Sequence, residues 1–257
     1  MDQGERKNGQ RLVEVRESDE VSRVVRETSS ITPMSTSPLR VHQPEAAEAQ
    51  SLSDRAYYAI RELIVTLELA PGSIVSEREL QDRLGVGRTP VREALQRLEN
   101  ESLVEVYPRR GIFVSNVNVL DLAVLSEVRA VLEGFGARLA ADRATAADRE
   151  EIAALITDVE QLTASADERR LIDLDQRIHR QVYRCAHNPF LETTLDGYYM
   201  LTLRIWFLAL DRVARLEQAV KEHLELLHAI HDGDPERAED AMRRHVAGFE
   251  EAIRRVL

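Results

Sequence analysis

Four residues in the second half of the chain have types and spacing suited to holding a metal ion. Asp175 and His179 lie four apart, so on a helix they project from one face. His223 would share a helical face with Leu227 and Ile230, and His245 stands close to Met242 and Phe249. A carboxylate and three imidazoles from three helices make an ordinary ligand set for zinc or another first-row divalent ion. Spacing alone leaves a second reading open, in which each histidine is a hydrogen-bonded core residue. His187, His228 and His231 show that the chain carries histidines without such placement. A different chemistry collects upstream, where Arg88, Thr89 and Arg92 crowd one short stretch, Arg78 precedes them, and Arg109, Arg110 and Gly111 follow. Arginine can donate two parallel hydrogen bonds to guanine O6 and N7, worth about 1–3 kcal/mol of base discrimination.

The elements that position those arginines are legible between Ser76 and Val114. Ser76-Glu77-Arg78-Glu79 has the form of a capping box, in which the serine accepts an amide and the glutamate reaches back. A short helix with Leu80 and Leu84 on one face should stop at Gly85, which takes the left-handed turn most easily. A second helix is predicted to start at Thr89-Pro90, with Thr89 as its cap and Val91, Ala94, Leu95 and Leu98 on its buried face. Two short β-prone runs follow, Leu103–Tyr107 and Ile112–Val114, joined by Pro108-Arg109-Arg110-Gly111. Helix, tight turn, helix and a two-stranded wing predict a winged helix-turn-helix. Its second helix would bring Arg88, Thr89 and Arg92 to a major groove, while Arg78 and the helix-start amides suit phosphate oxygens. The wing tip offers charge and a thin backbone to a minor groove or a phosphate.

The rest of the chain predicts a mainly α protein, the winged domain being followed by an all-α, six-helix antiparallel bundle. Helical periods run over roughly 118–141, 146–165, 168–187, 189–211, 214–232 and 235–256. Thr145 and Asp148 resemble a capping box, Asn188-Pro189 starts a helix, and Gly233-Asp234-Pro235 separates the last two. Three segments are expected: residues 1–50 as a polar disordered extension, with at most a helical turn near Leu12 to Val25, 51–116 as the winged domain, and 117–257 as the bundle. Hydrophobic residues make up 44% of the chain, enough for a core, and aromatics only 5%, which favours helices. The net charge of −11 divides into −2, −1 and −8 over those segments, so the acidity sits mostly outside the winged domain. An acidic remainder disfavours non-specific nucleic-acid binding and makes affinity depend on two heads acting together. A single cysteine, Cys185, forbids an intrachain disulfide and fits a reducing cytoplasm. No window has the roughly 18 apolar residues of a membrane span, and the N-terminus lacks a signal-peptide core.

The segment Tyr57 to Val114, with LAPGSIVSERELQDRLGVGRTPVREALQRLENESLVEVYPRRGIFV, resembles the DNA-binding domain of the GntR family of bacterial transcription regulators. By that resemblance Arg78, Arg88, Thr89, Arg92, Arg110 and Gly111 occupy DNA-contacting positions. The family usually has Ser or Thr where this chain has Gly87, so no contact is assigned to that side chain. Residues 118–257 resemble the FCD effector domain of the FadR branch, in its shorter, VanR-like form. The recurring pattern stands here as Glu127-x-Arg129-x-x-x-Glu133, Asp175-x-x-x-His179, His187-Asn188-Pro189, Glu222-His223, Gly233-Asp234 and Met242-Arg243-x-His245. The resemblance implies a divalent metal on Asp175, His179, His223 and His245, zinc first, with nickel or manganese as alternatives.

A carboxylate effector could fill the positions such an ion leaves open, with Arg129 and Arg204 as candidate partners for a second acidic group. For both arginines the competing reading is a structural salt bridge. Relatives that bind acyl-CoA generally lack these histidines, which points to a small organic or sugar acid. The expected protein is a homodimeric repressor on a short palindromic operator, and not an enzyme. Rival readings are a regulator for which the metal itself is the signal, a constitutive architectural DNA-binding protein, and a metal-dependent hydrolase.

Overall fold

In the computed structural model, the described residues are 51–118, 121–163, 167–209 and 216–255. The expectations for residues 1–50, a disordered extension and a helical turn near Leu12, lie outside them. Helix α1 (Leu52–Val65) opens on a complete capping box, with Asp54 N donating to the Ser51 hydroxyl at 3.1 Å and Ser51 N donating to the Asp54 carboxylate at 3.2 Å. A two-residue strand, β1 (Ile74–Val75), leads into α2 (Glu77–Leu84). The Ser76 hydroxyl accepts from Glu79 N at 3.3 Å, while the glutamate's return bond is not formed. Gly85 ends α2 at φ +64, the left-handed turn predicted for it.

Helix α3 (Arg88–Asn100) is capped two residues earlier than predicted. Gly87, in extended conformation, is the N-cap, and Thr89 lies inside the first turn rather than capping it. Pro90 is the third helical residue and has no amide, so one of the groups that a capping side chain would serve is missing. Strands β2 (Val104–Tyr107) and β3 (Gly111–Val114) pair antiparallel, from Val104 opposite Val114 to Tyr107 opposite Gly111. Where two strands were predicted there are three, because β1 joins the free edge of β3 in the order β1-β3-β2. Val91, Ala94, Leu95 and Leu98 of α3 are buried in one apolar cluster with Ile60 and Ile64 of α1, Leu80 of α2 and Val104 of β2.

The second apolar cluster is built from α4 (Asp121–Arg143), α5 (Ala146–Glu160), α6 (Glu168–Cys185), α7 (Pro189–Ala209), α8 (Leu216–Lys221), α9 (His223–Asp232) and α10 (Pro235–Arg254). The caps read at Thr145 and Gly233 are present: Thr145 and Asp148 form a full box, and Gly233 stands at φ +73 before the Asp234 cap. The run expected as one helix over 214–232 is broken at Glu222 into α8 and α9. Beside the break, the Val220 carbonyl accepts from the ring of His223, a side-chain bond that competes with the backbone ladder. Buried Cys185 closes α6. Winged domain and bundle belong to one compact unit. Arg61 of α1 reaches Asp196 of α7 at 2.8 Å, and Arg204 of α7 donates to the Ser115 carbonyl after β3 at 2.5 Å.

Candidate metal centre and nucleic-acid interface

Helices α6, α9 and α10 bring Asp175, His179, His223 and His245 together, all four buried. One ligand atom from each lies within 4.8 Å of the others. Two ligands facing each other across an ion with bonds of about 2.0–2.2 Å stand roughly 4.0–4.4 Å apart, so the cluster is near that size. The Nε2 atoms of His179 and His223 are 3.2 Å apart, and Asp175 Oδ1 lies 4.0 and 3.8 Å from them.

The surroundings favour one tautomer for each of two rings. His223 Nδ1 lies 3.2 Å from the Val220 carbonyl, which can only accept, so Nδ1 donates and Nε2 keeps a lone pair. His179 Nδ1 stands 3.2 Å from the Tyr183 hydroxyl and 3.3 Å from Glu133 Oε2. Burial pushes the Glu133 carboxyl up, but the Arg129 guanidinium outweighs it and holds it at about 2. An ionised neighbour favours the proton on His179 Nδ1, again leaving Nε2 bare. With both rings in that tautomer the two Nε2 lone pairs face each other at 3.2 Å, an arrangement a cation between them would stabilise. Burial pushes His223 down to about 4 and, with the neighbouring imidazoles, His245 well below its ordinary range, so both are neutral ligands at pH 7. His245 Nδ1 is buried without a hydrogen-bond partner. The Tyr199 hydroxyl donates to Asp175 Oδ2 at 2.6 Å, turning Oδ1 towards the imidazoles. The donor set, the neutral imidazoles of His223 and His245 and the orphaned nitrogen all fit a divalent metal.

The two arginines read as effector contacts separate. Arg129 lines a cavity of about 10 Å³ with Asp175, His179, Tyr199 and His245. Its Nε donates to Glu133 Oε1 at 2.5 Å, the structural pair weighed against the effector role, while its buried Nη1 has no partner. Arg204 does not face that cavity. Thr202, Leu203 and Trp206 do, and on a helix Arg204 is turned away from them, into another cleft. Sequence reasoning gave no role to Tyr199 or Tyr183. Glu133 appeared only as part of a pattern, although its spacing of four from Arg129 was a usable signal.

On the winged domain, Arg78, Arg88, Thr89 and Arg92 are exposed around the starts of α2 and α3. Glu77 holds two of them in place, 3.5 Å from Arg88 Nε and 3.1 Å from Arg92 Nε. Arg109, Arg110 and Gly111 are exposed on the β2–β3 turn, where Arg109 and Gly111 have positive φ. The Arg110 guanidinium lies 5.8 Å from the Tyr107 ring centroid. None of the described helices is long and apolar enough to cross a membrane.

Residues 52–114 match the bacterial regulatory proteins of the gntR family, and residues 124–248 match the FCD domain. The HTH-type transcriptional repressor RspR of Escherichia coli (strain K12) is 27% identical over 210 residues, spanning 80% of this chain and 91% of its own. A probable D-xylose utilization operon transcriptional repressor of Paenarthrobacter nicotinovorans is 30% identical over 195 residues, 74% of this chain and 85% of its own. The solved structure of E. coli McbR/YncC superposes with a TM-score of 0.71 at 21% identity, over 80% of this chain and 98% of that one, a likeness of fold.

Proposed function

Since the chain belongs to the GntR family of bacterial transcriptional regulators, with an FCD domain behind its winged helix-turn-helix, we propose that it is a cytoplasmic, homodimeric repressor controlled by a small organic or sugar acid. Residues 51–116 are the reading head and residues 117–257 the effector-binding and dimerisation domain. Two heads on a two-fold axis call for a palindromic operator. Arg88, Thr89 and Arg92 meet base edges, and Arg78, Arg110 and Gly111 meet the backbone or the minor groove. Arg88 and Arg92 are exposed and already gathered by Glu77, which phosphate or base would displace. Like its relatives, the chain regulates transcription and is not an enzyme.

Asp175, His179, His223 and His245 hold a divalent metal, zinc before nickel or manganese. The observation that carries this reading is the burial of all four side chains with one ligand atom from each within 4.8 Å of the others, the His179 and His223 Nε2 atoms standing 3.2 Å apart. An effector carboxylate completes the ion's coordination, and the unpartnered Arg129 Nη1 on the cavity wall supports an acidic ligand there. By linkage, an acid that weakens operator binding by some factor is itself bound more weakly, by that factor, on the operator complex.

One observation favours a second reading, in which the ion alone is the signal. At about 10 Å³ the cavity has room for one water-sized group, so an acid enters only if lining rings such as Trp206 and Phe249 part. Operator binding by the metal-free protein, the metal-loaded protein, and the metal-loaded protein with candidate acids separates the two readings. Under the effector reading only the last differs, and His223→Ala loses both metal and response while still binding operator. Arg92→Ala does the reverse, losing the operator and keeping the metal. A His223→Ala protein that keeps its metal refutes the centre, and an Arg92→Ala protein with wild-type operator affinity refutes the reading helix.

A further inference from the structure

Arg204 is a buried cation with no carboxylate paired to it among the described residues. The residue is 2% exposed, its Nη2 donates to the Ser115 carbonyl, and its buried Nε has no partner. Among the described residues no carboxylate lies within ion-pair distance of it, and burial alone pushes its guanidinium down to about 10. A second orphaned polar atom, Ser115 Oγ, is buried beside it. Both residues line a cleft of about 830 Å³, the size of a small-molecule site. The walls are mostly apolar: Val104 and Val106 of β2, Val124 and Val128 of α4, Leu201 and Ile205 of α7. Glu99, Glu105 and Asp121 also line the cleft without pairing with Arg204, so they repel a ligand that carries charge along its length.

We infer that this cleft is a second ligand site, which takes an apolar-bodied monocarboxylate with its acid group on Arg204. Burying an unpaired charge is costly, and one carboxylate offsets that cost while offering the two oxygens a guanidinium is shaped to meet. The acidic lining selects for a single charge at one end, and the valine and leucine walls for an apolar body. The site is separate from the metal centre and does not depend on it. Its walls come from the wing on one side and from α4 and α7 on the other, so an occupant ties the reading head to the bundle and gives operator binding a second input.

Calorimetric titration of the full-length protein with octanoate, and with octan-1-ol as its uncharged counterpart, tests the site. Octanoate is expected to bind once per chain, with the alcohol roughly tenfold or more weaker, as a charge-assisted contact requires. Arg204→Gln should remove the preference for the acid. Because that change also disturbs the Ser115 contact, Val128→Trp provides a second arm that narrows the cleft without touching Arg204; it should weaken octanoate binding with the circular dichroism unchanged. His223→Ala should leave octanoate binding as it was. The inference is overturned by equal affinity for acid and alcohol, by wild-type octanoate binding in Arg204→Gln, or by loss of binding in His223→Ala, which would move the ligand to the metal. Absence of saturable octanoate binding also overturns it, including the case in which a second copy of the chain covers the cleft.

Discussion

At the scale of single residues, Glu133 joins the two chemistries of the bundle. One carboxylate oxygen takes the Arg129 Nε–H, and the other faces His179 Nδ1, so the cavity's cation and a candidate metal ligand share one anchor. Replacing Glu133 with Gln keeps the shape and removes the charge that orients His179. Metal affinity should fall about 10–100-fold, the usual effect of losing such a support. Competition with a chelator measures it, and an unchanged affinity would show that Glu133 only balances Arg129. His223 gives a pH signature to the metal-free protein. Its imidazole titrates near 4 rather than the ordinary 6.5 because burial disfavours the cation, so between those values the unfolded chain binds more protons than the folded one. Stability should therefore be level above 6.5 and decline as the pH falls towards 4; thermal midpoints that stay flat across that window contradict it. The four candidate ligands were readable from helical spacing and resemblance. Tyr199 was not, because it meets Asp175 from a helix whose local pattern is simply apolar.

At the scale of elements, the start of α3 separates stability from recognition. Thr89 is not the cap, so Thr89→Ala should change folding stability by less than about 0.5 kcal/mol, as other exposed substitutions do. Thr145, which forms a complete capping box on α5, should cost about 1 kcal/mol when changed to Ala. Urea melts of the two variants distinguish them, and equal losses would return the capping role to Thr89. The operator affinity of Thr89→Ala should nevertheless drop, since the hydroxyl faces outwards at the reading end. Several helix boundaries were visible because Ser76, Gly85, Thr145 and Gly233 act on their own neighbours, whereas the capping box at Ser51 was not read. The strand Ile74–Val75 and the break at Glu222 were hidden for the opposite reason. A two-residue strand has no alternation to read, and it exists only because β3 presents an edge. The break accompanies a bond from the His223 ring to the Val220 carbonyl, and the position of that ring is set by the cluster rather than by flanking residues.

At the scale of the molecule, two buried arginines, Arg61 and Arg204, carry polar contacts between head and bundle among the described residues. Arg61 of α1 is 2% exposed and pairs with Asp196 of α7, which Arg180 of α6 also approaches at 3.3 Å. Burial would raise the Asp196 carboxyl, yet the two guanidiniums hold it below its ordinary value, so the contact persists at neutral pH and is lost only in acid. Asp196→Ala leaves Arg61 without its anion. Stability should fall by about 1.5–3 kcal/mol, the range for a hydrogen bond to a charged group, and ligand in the bundle should shift operator affinity less than in the wild type. A variant with lower stability but an undiminished ligand effect would mean that signals cross elsewhere. Nothing local in the sequence could pair residues 61 and 196; only the folded chain does.

The lone thiol of this protein is a timer that needs no installation. Burial, with Asp148 nearby, pushes Cys185 up to about 12, so an alkylating reagent finds almost no thiolate while the end of α6 stays packed. The rate of iodoacetamide labelling then counts how often the bundle opens, and anything that grips the folded form should slow that clock in proportion to how tightly it holds.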